Sequence, residues 1–316
     1  MRILVIGAAG MIGRKLVQRL ARDKAGELIL HDVVPFEGAS AVSDLSAPGE
    51  AGKLVASRPE LIFHLAAVVS GEAEADFDKG YRVNLEGTRR LLEAVRKENY
   101  RPRLVFTSSI AVFGAPFPEA IDDEFLSAPL TSYGTQKAIG ELLLSDYSRR
   151  GFIDGIGLRL PTICVRPGKP NKAASGFFSG IIREPLAGQE AVLPVPETVR
   201  HWFASPRAAI GFLLHASRMN TEQLGTRRNL SLPGVSATVA EQIDALRKVA
   251  GEKVAQRIRR EPDPAIVRIV EGWPRNFDAK RAAALGFRAD ASFEEIIRLH
   301  IEDELQKTPQ PRLGSG

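Results

Sequence analysis

The apolar run Ile3-Leu4-Val5-Ile6 leads directly into Gly7, Gly10 and Gly13, and nothing else restricts the fold of this chain as strongly. β-branched and leucine residues favour a buried strand, and the glycines that follow permit a tight turn. Behind them Ile12, Leu16, Val17 and Leu20 fall at helical spacing, which predicts a helix over residues 10–21. The same unit recurs along the first half of the chain. Further strands are expected at 27–31, 61–65, 104–107 and 156–160, with helices at 84–97 and 132–148. Strands alternating with helices in this way argue for α/β architecture, a doubly wound parallel sheet of Rossmann type. From Pro161 the texture changes: prolines recur at 161, 167, 170, 185, 194 and 196, and the alternation stops. We therefore expect a nucleotide-binding domain over 1–165 plus about 201–218. A smaller, mainly helical substrate lobe should comprise 166–200 and 219–305, with short strands near 229–232, and 306–316 should form a disordered tail.

The glycine spacing, placed between a strand and a helix, suits the pyrophosphate of a dinucleotide. Gly7 would allow the turn, Gly10 the approach of backbone to phosphate, and Gly13 close packing of helix on sheet. Met11 and Ile12 lie within the same turn, where backbone amides at a helix N-terminus attract an anion. Asp32 ends the second strand, 19 residues after Gly13, and can accept both ribose hydroxyls. A 2′-phosphate there would meet like charge, so Asp32 favours NAD over NADP; Arg14 and Lys15 are read as outward-facing helix residues. Asp44-Leu45 is placed to bracket the adenine. Phe63-His64-Leu65-Ala66-Ala67 ends the next strand in small residues, over which ribose and phosphate can lie. His64 sits inside that apolar strand and is expected in the core.

Tyr133 and Lys137 are separated by one helical turn and share a face. Thr107-Ser108-Ser109 ends a strand between them and the glycine turn. Free tyrosine titrates near pH 10, and lowering that by three units takes about 4 kcal/mol. Lys137 and a positive nicotinamide ring are the expected sources of that stabilisation. Tyr133 would then be a general base for a substrate hydroxyl, with Ser109 holding the oxygen and Lys137 also touching the nicotinamide ribose.

Gly7/Gly10/Gly13, His64-Leu-Ala-Ala67, Asn84-Leu-Glu-Gly-Thr88, Thr107-Ser-Ser-Ile-Ala-Val-Phe-Gly114 and Tyr133/Lys137 occur in the order seen in extended short-chain dehydrogenases/reductases, which the chain resembles. The resemblance implies catalysis by Ser109, Tyr133 and Lys137. It also implies cofactor contacts at Asn84 and Pro161. Nucleotide-sugar epimerases of this group carry an Arg-x-x-Asn-x-Tyr-Gly-Pro-like segment, where this chain has Leu158-Arg-Leu-Pro-Thr-Ile-Cys-Val-Arg-Pro-Gly-Lys-Pro-Asn171. Ala67–Asp76, Ser132–Glu141, Arg166–Asn171, Ile181–Gly188, Asp263-Pro-Ala-Ile and Gly272-Trp-Pro are instead similar to the group's sugar-acid dehydrogenases. That similarity implies NAD-dependent oxidation of a four-carbon sugar acid, D-erythronate, at C2. A small anionic substrate needs a cation, and Arg166, Lys169, Arg183 and Arg200 are the candidates. Ser70 and Asn171 are candidates for its hydroxyls. The competing readings are a nucleotide-sugar epimerase or dehydratase with tightly held NAD, and a non-catalytic dinucleotide-binding protein.

The remaining composition narrows the partners. A net charge of +5 is spread over helical segments and aromatics make up 7%, which does not suit a nucleic-acid surface. No apolar stretch is long enough to span a bilayer, and the opening residues read as a strand rather than a secretion signal. The single Cys164 excludes an internal disulfide and fits a cytoplasmic setting, and five histidines without ligand spacing give no metal site. A homodimer formed through the helices at 84–97 and 132–148 is expected.

Overall fold

The structure is a computed structural model that describes residues 1–168 and 175–306. In chain order the strands are β1 (Arg2–Ile6), β2 (Glu27–Asp32), β3 (Ala41–Val42), β4 (Leu61–His64), β5 (Arg103–Ser109), β6 (Asp154–Leu160), β7 (Thr162–Ile163), β8 (Ala191–Leu193), β9 (Arg200–Ala204), β10 (Asn229–Ser231), β11 (Val235–Thr238) and β12 (Ile258–Arg260). Seven of them form a sheet in the order β10-β6-β5-β4-β1-β2-β3, parallel throughout. Strand order reverses between β1 and β4, which opens a crevice at the strands' carboxyl ends.

Alternation along the strands divides the core between two faces. Ile3, Val5, Phe63 and Val105 pack with Leu16, Leu20, Phe212 and Leu213 on one side. Leu4, Ile6, Ile62, Leu104 and Phe106 pack with Leu91, Val95 and Leu144 on the other. Burial on both faces explains why these strands read as continuous apolar runs. A separate core joins Phe178, Ile181 and Leu193 to Phe203, Ile243, Leu246, Phe293 and Ile297. It is built around the three-stranded sheet β11-β9-β7 and the pair β12-β8.

Two expectations need correction. Asn229–Ser231, assigned from sequence to the second lobe, pairs with β6 as the edge of the main sheet. Its three residues satisfy the backbone of Gly157–Arg159, a long-range pairing with no local signature. The helix expected over 84–97 begins earlier as a widened π-helical segment, Tyr81–Glu86, and becomes α-helical only over Gly87–Lys97. Among the described residues no helix is long and apolar enough to cross a membrane. The expected tail, apart from Gln306, lies outside the described residues, as do Lys169 and Asn171.

Candidate active site

The glycine turn is held by backbone before it holds anything else. Gly7 adopts φ +92°, and the amides of Gly7 and Ala8 donate to the His31 carbonyl at 2.9 and 3.0 Å. A Cβ on Gly13 would lie 2.1 Å from the Gly7 oxygen, and one on Gly7 would lie 2.7 Å from the Ala66 nitrogen. At Gly10 a Cβ would meet only the Gly7 oxygen, at 3.3 Å. Gly7 and Gly13 are thus required by packing, whereas Gly10 keeps open the cavity it lines. Gly10 also starts the helix Met11–Arg22 with no side-chain cap, leaving amides free for an anion. The Asp32 carboxylate is fixed beside the turn, accepting from Ala9 N at 2.9 Å and Val34 N at 3.1 Å. A turn of three glycines, amides at a helix start and a positioned carboxylate fit the pyrophosphate and ribose of a dinucleotide.

The cavity beyond the turn has a volume of about 320 Å³, in the range of small-molecule sites. Met11, Ile12, Leu65, Ala67, Ser70, Ser109, Tyr133, Lys137, Pro161 and Arg166 all line it, so the structure brings these expected residues together. Tyr133 sits in the first turn of the helix Ser132–Arg149, whose N-cap Thr131 accepts from Gly134 N at 3.1 Å. A Cβ on Gly134 would lie 2.1 Å from the Ala111 oxygen. That glycine lets the helix start abut the turn after Ser109, where the Ser109 hydroxyl accepts from Ala111 N at 3.1 Å.

Lys137 is 2% exposed, with Nζ donating to the Thr107 carbonyl at 2.8 Å and lying 4.8 Å from the Phe106 ring centre. Burial pulls its pKa down to about 8, against an opposing pull from the Glu141 charge. Glu141 is held in turn by the Arg159 fork, Nε to Oε1 at 2.9 Å and Nη2 to Oε2 at 2.7 Å, and by the Ser108 hydroxyl at 2.5 Å.

The expected lowering of Tyr133 by Lys137 is not what the protein provides. Burial raises the phenol, and the groups that oppose it are first Arg166 and then Ser109 through a hydrogen bond.

Lys137 yields a stability prediction. Its folded pKa lies below the unfolded value of 10.5, so its destabilising effect is full below pH 8 and disappears as pH rises to 10.5. That penalty is about 3 kcal/mol. Wild-type protein should therefore gain stability relative to Lys137→Met as pH rises from 8 to 10.5, by up to about 3 kcal/mol. Urea unfolding at pH 7 and pH 10 checks this; a stability difference that does not change with pH contradicts it.

Other expected residues do not line this cavity. Arg183 donates to the Arg166 carbonyl at 2.7 Å and pairs with Glu184, so its fork is occupied in supporting Arg166. Arg200 pairs with Glu241 at 3.1 Å and lines a different groove with Arg275 and Glu271. Asn84 is buried off the cavity: its Oδ1 accepts from Val68 N at 2.9 Å and its Nδ2 donates to Gln136 Oε1 at 2.7 Å. It fastens the loop after β4 to the catalytic helix. Asp44 caps its own turn, accepting from Ser46 N at 2.8 Å, and pairs with Arg82. Leu45 is buried against Gly87, and Ala66 backs Gly7.

Sequence reasoning missed Thr162, His201 and Trp273, which also line the cavity. A polar His201 preceding Trp202-Phe203 in a strand was the available signal.

A doubly wound sheet with this turn, serine, tyrosine and lysine defines the extended short-chain dehydrogenase/reductase class. The chain belongs to the NAD dependent epimerase/dehydratase family, whose model matches residues 3–211. It is 50% identical to the D-erythronate dehydrogenase of Cupriavidus necator, with 96% of this chain and 98% of that one covered. It is 42% identical to the D-erythronate dehydrogenase of Haemophilus influenzae, covering 96% and 100%. A solved structure described as the nucleoside-diphosphate-sugar epimerase from Agrobacterium tumefaciens superposes with a TM-score of 0.92 at 66% identity, covering 96% and 94%.

Proposed function

We propose that this protein oxidises D-erythronate at C2 to 2-oxo-D-erythronate, with NAD as the acceptor. The observation that carries this reading is Arg166. It lines the cavity, its charge is felt at the Tyr133 phenol, and among the described residues no carboxylate pairs with its guanidinium. A cation beside the catalytic groups with no carboxylate partner among the described residues suits a small acid, and full-length similarity to two D-erythronate dehydrogenases supports the same substrate.

Gly7, Gly10, Gly13, Met11, Ile12 and Asp32 would hold NAD, with Leu65, Ala67 and Pro161 along its length. When bound, NAD supplies the site that receives the hydride from C2. Arg166 grips the substrate carboxylate and orients C2 toward Tyr133. Ser109 hydrogen-bonds the C2 oxygen, and Tyr133 removes its proton. The Arg166 charge and the Ser109 hydroxyl stabilise the phenolate as it forms, and Lys137 would hold the nicotinamide ribose.

The parallel sheet with its helices over 1–160, the helix Pro206–Arg218 and the edge strand Asn229–Ser231 form the NAD-binding part, and the core around Phe178, Phe203 and Phe293 forms the substrate part. A homodimer in the cytoplasm is the expected setting. Leu142, 71% exposed on the Ser132–Arg149 helix, is an apolar residue that a second subunit would cover. A solution mass of one 34.4 kDa chain would contradict the dimer.

Gly10→Ala isolates the cofactor site. The backbone there suits alanine, φ −66° and ψ 165°, and the one close contact, 3.3 Å to the Gly7 oxygen, needs only a small shift, so Tm should change by no more than about 4 °C. The added methyl enters the pyrophosphate cradle, and NAD affinity should fall at least about tenfold, or 1.4 kcal/mol. Fluorescence titration with NAD measures it; unaltered affinity rejects the assignment.

A nucleotide-sugar epimerase is the second reading, favoured by the description of the Agrobacterium tumefaciens structure. Epimerases of this kind return the hydride to the same substrate and retain NAD. The dehydrogenase reading predicts protein that releases its NAD on gel filtration. Stoichiometric retention, together with interconversion of a UDP-sugar, would replace it with the epimerase.

A further inference from the structure

Thr162 and His201 face the cavity from neighbouring strands. The register pairs Thr162 with Phe203, so His201, two residues earlier, shares its face of the β7-β9 ladder. His201 is 3% exposed and stacks on Phe178 at 5.2 Å, with the rings 2° from parallel. Its Nδ1 lies 2.8 Å from the Pro274 carbonyl and its Nε2 lies 2.7 Å from the Thr162 hydroxyl. A carbonyl can only accept, so Nδ1 carries the ring proton. Burial also lowers the pKa to about 4, which keeps the ring neutral and leaves Nε2 bare. The Thr162 hydroxyl must then donate its one proton to Nε2. Only its lone pairs remain for a ligand.

This gives the cavity two poles of opposite kind. Arg166 can only donate; Thr162, locked by His201, can only accept. A carboxylate is welcome at the first and repelled at the second, whereas a hydroxyl satisfies the second. We propose that Thr162 accepts a hydrogen bond from a substrate hydroxyl beyond C2, with His201 as its positioning residue. The pair thereby selects polyhydroxy acids over simple 2-hydroxy acids. This deepens the sugar-acid reading and rests on it.

The test compares kcat/KM for D-erythronate and for (R)-2-hydroxybutyrate, which lacks the C3 and C4 hydroxyls. Thr162→Val is close to isosteric and suits a strand. It should reduce the ratio of the two kcat/KM values about 30-fold, mainly through KM for D-erythronate. Thr162→Ser should restore the ratio. His201→Phe keeps a stacked ring but frees the threonine proton, and it should reduce the ratio although the hydroxyl remains. An unchanged ratio in Thr162→Val, or equal losses on both substrates, overturns the proposal. If the wild-type enzyme reduces no NAD⁺ with either acid, the sugar-acid reading itself fails and takes the proposal with it. That failure appears in the wild-type arm and is distinct from a failure confined to the variants.

Discussion

Tyr133→Phe should reduce kcat for D-erythronate oxidation about 10³-fold while NAD affinity stays at its wild-type value. The substitution removes one oxygen and keeps the ring, so the Ser132–Arg149 helix and the cradle around Gly7 are undisturbed. Ser109, the other hydroxyl at the reacting oxygen, cannot replace the phenol, because its oxygen already accepts from Ala111 N and a serine has no comparable acidity. The loss should fall on kcat more than on KM, since the proton moves only in the reaction step. Steady-state kinetics with a parallel NAD titration makes the check, and a kcat within tenfold of wild type would remove Tyr133 from the role of base.

Arg166→Met should act at the other end of the substrate. Losing a buried charge partner of a carboxylate costs about 2–5 kcal/mol, so kcat/KM should fall at least about 30-fold, chiefly through KM. Arg166→Lys should recover only part, because an ammonium lacks the planar fork. A second consequence carries a definite sign. The Arg166 charge lowers the Tyr133 pKa, so without it the phenol titrates higher. The limb on which kcat rises with pH should therefore move to higher pH in Arg166→Met. Arg200→Met, in the separate groove against Glu241, should leave kcat/KM within about twofold. Equal losses in both variants would mean that charge in general, rather than Arg166, binds the acid.

The contrast between these two arginines marks what the sequence could disclose. Gly7, Gly10, Gly13 and Asp32 were legible because a turn, a helix start and a strand end impose fixed local spacings. Tyr133 and Lys137 were legible because one helical turn puts them on one face. Arg166, Arg183 and Arg200 were indistinguishable, since what separates them is occupancy. Arg183 is engaged by Glu184 and the Arg166 carbonyl, and Arg200 by Glu241. The Tyr133 environment was misjudged for a related reason. Lys137 is one helical turn away, but the charge that lowers the phenol comes from Arg166, 33 residues later and on another element. Asn229–Ser231 and the Thr162–His201 pair also depend on contacts between distant segments. Asn84 carried a real signal, yet its amide is spent on Val68 and Gln136.

The most direct test of the central claim is NADH formation at 340 nm by the purified protein with NAD⁺ and D-erythronate, alongside NADP⁺, L-threonate, L-threonine and UDP-glucose arms. The account predicts one NADH per 2-oxo acid formed, with NAD⁺ far better than NADP⁺ and D-erythronate the preferred substrate. No NADH from any short sugar acid, alongside conversion of the UDP-sugar, would contradict it.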